Sequence, residues 1–142
     1  MPIESRSETD AVVLLRAFAT GLSVWGLATI GFRLAGQHIL FADPAALLVL
    51  FAAVGAVMAV LGPCLRHVIG AAKGQADFVA LLMILPGMLL DAGATGLFAE
   101  VFPNMAVTLA PYFGALMLWG YAIAGGSIAL EARIGRIRLL AR

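Results

Sequence analysis

Cysteine and charge are the two things this sequence has least of. Its single cysteine, Cys64, excludes an intramolecular disulfide and leaves no CxxC pair for zinc or redox chemistry. Charged residues make up only 12% of the chain, where soluble domains carry roughly 25%. The net charge of +1 gives no electrostatic footprint for nucleic acid, so no nucleic-acid partner is expected. No P-loop, GxGxxG, HExxH or GxSxG pattern occurs, which removes the common nucleotide-binding and hydrolase signatures. There are two histidines, His38 and His67, and the expected topology puts them on opposite membrane faces. Neither a metal nor a cofactor is expected.

What the sequence has in excess is apolar length. It is 63% hydrophobic, with a mean hydropathy of +1.04. A chain of 142 residues has no soluble core large enough to hide that surface, so lipid must be part of its solvent. Four runs reach the roughly 20 residues needed to cross a bilayer. They fall near residues 17–35, 44–65, 78–102 and 111–130. Ser7-Glu8-Thr9-Asp10 reads as a capping box ahead of the first, and Asp43-Pro44 as the N-cap and first residue of the second. Glu4, Glu8 and Asp10 against Arg6 make a poor signal-peptide n-region, so the first run is expected to stay as a span. The short connections predict one all-α domain, an integral membrane up-down-up-down four-helix bundle.

Orientation follows from the basic residues. Arg6, Arg16, Arg66, Lys73, Arg133, Arg136, Arg138 and Arg142 share one side if both termini are cytoplasmic; only Arg33 lies on the other. The closing stretch ARIGRIRLLAR alternates basic and bulky apolar residues, as an interfacial helix end on anionic headgroups does. The expected location is the bacterial inner membrane, with the lipid bilayer as the first partner. No internal repeat is visible. Gly21, Gly26, Gly31 and Gly36 point in different directions round a helix, so they suit close approach by several neighbours rather than one seam.

Polar residues inside the spans need a reason to be there. Arg33 lies roughly 24 Å into the first span and Asp91 roughly 20 Å into the third, at about 1.5 Å per residue. The two depths suggest an ion pair near the outer face, serving as helix glue or as part of a ligand site. Pro86 would free the carbonyl of Leu82, and Gly87 would leave room beside it for a neighbour or a water. Gln37, His38, Glu100 and Asn104 cluster near the same face and complete the candidate ligand-binding set. Glu100 lies about 180° round the helix from Asp91 and can join it only if the helix breaks. Asn104 after Pro103 reads as a turn. Pro63 in Gly62-Pro63-Cys64 suggests a kink, and Cys64 reads as a buried, inert thiol. Trp25, Trp119, Tyr112 and Tyr121 suit helix packing and the aromatic belt.

FRLAGQHIL (32–40), PGMLLDAGATGLFAEVFPNM (86–105) and FGALMLWGYA (113–122) together resemble an uncharacterised family of small bacterial membrane proteins, catalogued only as a domain of unknown function. The likeness covers spans one, three and four and is weak in span two. It implies a four-helix integral membrane protein with Arg33, Gln37, Asp91, Pro103 and Asn104 in its motifs, and implies no activity. The membrane glutamate that small multidrug exporters carry in their first helix has no counterpart in span one. Four such helices enclose no sizeable pathway, so a homo-oligomer or a partner membrane protein is expected. The leading functional expectation is a transporter-like or ligand-binding bundle with a polar site near the outer face. The alternative is an accessory or assembly subunit of a larger membrane complex. An enzyme using Asp91 or His38 as base would lack an obvious second catalytic group.

Overall fold

The computed structural model describes residues 3–140; the side chains of 3–10, 73, 136 and 138–140 lie outside that description. The protein is all-helical, with 89% helix and no strand among the described residues. The elements are α1 (Ile3–Ala35), α2 (Pro44–Ile69), α3 (Ala76–Gly96), the short α4 (Phe98–Val101) and α5 (Ala110–Leu140). Short 3-10 turns follow α1 and precede α3 and α5.

Local chemistry sets most of these boundaries. The Asp43 carboxylate accepts from the amide of Ala46 at 2.8 Å, with Pro44 as the first helical residue, so α2 starts where its cap residues predict. It ends at Gly70, whose φ of 81° is the left-handed conformation that glycine adopts at least cost. Pro63 lies inside α2, which continues six residues past it to Ile69 rather than stopping near Leu65. The third apolar run is not one helix: α3 stops at Gly96, Leu97 leaves helical geometry, and α4 adds a single turn before Pro103. Helix α1 begins before Ser7, so the expected capping box falls within the helix; its side chains lie outside the described residues. So do the side chains of Arg136 and Arg138 in the basic tail, where α5 runs on to Leu140.

Four stretches, Ala11–His38, Pro44–Ile69, Ala76–Gly96 and Val107–Gly135, are long and apolar enough to cross a bilayer. Leucines and valines stand exposed on all four, among them Leu34, Val49, Leu89 and Leu118. A water-soluble protein would bury them; a multi-pass membrane protein faces them to lipid.

Helix α3 packs against α1 and α5, and α2 packs against α5. Gly21 lies on the backbone of Met83, Trp25 meets Asp91, and Arg33 meets residues 100 and 101. Gly55 touches Trp119, Gly62 touches Ala124, and Arg66 meets Glu131. Between α3 and α5, Ile84, Gly87 and Thr95 meet Gly125, Tyr121 and Gly114. Of the four evenly spaced glycines, Gly21 and Gly36 make close approaches, to Met83 and Met105, while Gly26 and Gly31 face open space. Two apolar clusters form the core. One joins Val13, Ala17, Val79, Met83 and Ile128; the other is built on Phe98, Phe102 and Phe113, whose rings meet tilted or edge-on with centroids 4.7–5.8 Å apart. Helices α1 and α2 touch each other little. Their seam opens into a groove with a volume of about 380 Å³, floored by α3 and α5.

Candidate functional site

The groove is walled by aliphatic and thioether side chains, among them Val54, Val57, Met58, Leu61 and Leu116. Its polar lining comes from two aromatics, Trp25 on α1 and Tyr121 on α5. Behind them, on α3, is Asp91, only 5% exposed. The Trp25 indole N–H donates to Asp91 Oδ1 at 2.8 Å, and the Tyr121 hydroxyl donates to Oδ2 at 2.6 Å. The carboxylate therefore has one neutral donor on each oxygen. It also ties three helices together at mid-height, between the two apolar clusters.

Gly87 makes this arrangement sterically possible. A methyl group placed on its Cα would lie 2.5 Å from the Tyr121 hydroxyl oxygen. The room expected beside Pro86 is taken by a neighbour, the Tyr121 phenol on its way to Asp91, one turn along α3.

Arg33 and Asp91 do not pair, which corrects the ion pair expected from depth. The guanidinium Nη1 donates instead to the carbonyls of Glu100, at 3.2 Å, and Val101, at 2.6 Å. The reason is register. Asp91 meets α1 at Trp25, eight residues before Arg33 and roughly 12 Å away along the axis. Equal counts from the edges of the apolar runs do not give equal heights here, and the two residues are displaced by about two turns. Arg33 instead caps the C-terminal end of α4, whose last carbonyls lack helical partners.

Around Arg33 the other expected residues gather in part. Asn104 Nδ2 donates to the Phe32 carbonyl at 3.2 Å and to Gln37 Oε1, while Asn104 Oδ1 is buried with no hydrogen-bond partner. Asn104 thus ties the loop before α5 to the end of α1, beyond the turn expected of it. Glu100 contributes its carbonyl, because α3 breaks at Leu97, while its side chain is exposed. His38 is exposed on the 3-10 turn after α1. The six candidate residues therefore divide between two places: Asp91 under the groove, and Arg33, Gln37, Glu100 and Asn104 bracing the far end, with His38 beside them.

A third polar cluster lies at the opposite end. Arg66, 1% exposed, donates to both oxygens of Glu131, at 2.8 and 2.7 Å from Nη2 and 3.2 Å from Nε, and to the Ala71 carbonyl at 3.2 Å. His67 Nε2 lies 2.9 Å from Glu131 Oε1. This pair joins α2 to α5. Among the described residues no three His, Cys, Asp or Glu side chains converge as metal ligands.

Sequence reasoning missed the two residues that matter most to Asp91. Trp25 and Tyr121 suit packing and the aromatic belt by type and position, yet both carry a polar handle that requires a partner once buried. The readable signal was a Trp N–H and a Tyr O–H in mid-span, with Asp91 the one carboxylate in the middle of an apolar run. Arg66 counts in the sequence only toward orientation, and its pairing with Glu131 was not foreseen.

No curated protein and no solved structure matches this chain. The sequence profile of DUF5367, a family of unknown function, matches residues 39–133, taking in α2, α3, α4 and most of α5 and leaving the Phe32–Gln37 stretch outside. That match spans well over half of the sequence, and the chain belongs to this family of unknown function.

Proposed function

We propose that this protein is a ligand-binding or transporter-like bundle that crosses the bacterial inner membrane four times, up-down-up-down, with both termini in the cytoplasm. Its ligand is an amphiphile entering between α1 and α2. The observation that carries the reading is the apolar groove of about 380 Å³ ending on the Trp25–Asp91–Tyr121 cluster. A cavity of this size and lining suits a small, mostly apolar molecule, with a few placed polar groups to orient it. The opening lies along the lipid-facing seam, so a membrane-dissolved ligand can enter sideways. The order of contacts along the helices supports the alternating topology: partners ascend together between α1 and α3 and between α2 and α5, and run in opposite order between α3 and α5.

Ala28 lines the groove and is exposed, so a tryptophan there fills the opening without entering the core. Native mass spectrometry of gently extracted protein should show a retained amphiphile on the wild type and its loss from Ala28→Trp. A fixed-ratio complex with a second polypeptide, and no small-molecule adduct, would instead make the chain an accessory subunit. The same spectrum reads the oligomeric state.

A further inference from the structure

The groove's charge environment selects among amphiphiles, and this step rests on the groove reading above. Asp91 is buried among apolar helices, where a bare charge is costly. Its two hydrogen-bond donors are neutral. No described cationic side chain pairs with it: Arg33 is held by the carbonyls of residues 100 and 101, and Arg66 by Glu131. With Asp91 ionised, the site holds a negative charge and no resident cation among the described residues, so a bound cation is what would stabilise that ionised form. Between that charge and the groove stand the Trp25 and Tyr121 rings. Each donates its polar hydrogen toward the carboxylate, which pushes electron density into the ring and deepens the negative face that attracts cations.

The walls narrow the choice further. A hydrated metal cation requires several oxygen ligands, and the groove lining is aliphatic, thioether and aromatic. An anion would face the Asp91 charge with no donor left to hold it, since the indole N–H and phenol O–H are already engaged. A neutral hydrocarbon would leave that charge unanswered. We propose that the groove binds an organic cation whose charge is wrapped in apolar groups, seated on Trp25 and Tyr121 with Asp91 behind them as its counter-ion.

Tetraphenylphosphonium and tetraphenylborate test this directly, being nearly the same shape with opposite charge. Calorimetric titration of the purified protein in neutral-detergent micelles, with protein-free micelles as baseline, should give phosphonium binding at least about tenfold tighter than borate. Asp91→Asn, whose amide oxygen can still accept a hydrogen bond, should abolish that preference, and Tyr121→Phe should weaken it. Ala28→Trp should remove binding of both ions. Equal affinities, or a preference for borate, would overturn the cation assignment while leaving the groove reading intact. So would phosphonium binding unchanged in a folded Asp91→Asn protein. Binding of neither ion overturns the cation assignment too; the groove reading then depends on the amphiphile lost from Ala28→Trp. If Asp91→Asn fails to fold, the wild-type charge preference and Tyr121→Phe decide.

Discussion

Asp91 shows how a single missing side chain can govern a polar site. The Tyr121 hydroxyl reaches it only because residue 87 has no Cβ. Gly87→Ala should therefore displace the phenol and weaken a hydrogen bond to a buried charged group, costing on the order of 2 kcal/mol. Tyr121→Phe should cost a similar amount. The two are coupled, because the atom that the new methyl would strike is the hydroxyl itself. In a Tyr121→Phe background Gly87→Ala should cost clearly less than in the wild type, leaving only the small shift that ring carbons at 3.1 and 3.2 Å from the new methyl require, and thermal unfolding of the four proteins in detergent measures that coupling. Additive losses would mean that Gly87 serves the α3–α5 contact in general rather than the hydroxyl. At this scale the sequence was only half legible. It marked Asp91, Pro86 and Gly87 as a unit because a carboxylate, a proline and a glycine stood out in an apolar run. It could not name the partner, because Arg33 looked chemically better than Trp25, and only helix register separates them.

The helices themselves were legible, because apolar length and cap residues act locally. Asp43, Pro44 and Gly70 bound α2 by chemistry confined to a few residues. The break at Leu97 was not legible, because the nearest prolines, Pro86 and Pro103, stand well away from it and apolar residues continue through it. The short α4 that follows the break is capped at its far end by Arg33, which donates to the carbonyls of residues 100 and 101. Nor was the α2–α5 tie, since Arg66 and Glu131 are far apart in sequence and each looks like an ordinary helix end. Arg66 is buried, so Glu131→Ala should strand its charge with the Ala71 carbonyl and His67 beside it. Removing one partner of a fully buried pair costs about 3–5 kcal/mol; with Glu131 a third exposed, a loss on the order of 2 kcal/mol is expected. The double substitution Arg66→Met, Glu131→Met should recover most of it, because apolar side chains of similar size need no desolvation of charge. A double variant as unstable as Glu131→Ala would show that the pair sets the α2–α5 register rather than merely satisfying Arg66. Unfolding midpoints of the three proteins decide between the two.

The whole molecule places its polar clusters at three heights: Arg33 and Asn104 at one end, Asp91 in the middle, and Arg66 with Glu131 at the other. A soluble bundle would scatter its charges over the outside; here the apolar residues are outside and these polar groups tie helices together within. The proposed orientation puts the Arg66 end in the cytoplasm, because Arg16, Arg66 and Arg133 stand at that end and Arg33 stands alone at the other. The single native cysteine, Cys64, is exposed rather than buried as expected, because its side chain lies on the outer face of α2, and having only one to replace makes that orientation easy to test. With Cys64 replaced by serine, one new cysteine at Ala42, in the α1–α2 connection, and another at Gly74, in the α2–α3 connection, probe the two ends; both positions are exposed. A membrane-impermeant maleimide added to intact cells from which any outer barrier has been stripped should label the thiol at 42. The thiol at 74 should react only after the membrane is permeabilised. The reverse pattern would invert the protein and place Asp91 and its groove the same distance from the opposite surface. Labelling of both positions in intact cells would remove the α2 crossing, and with it the four-span bundle that holds the groove together.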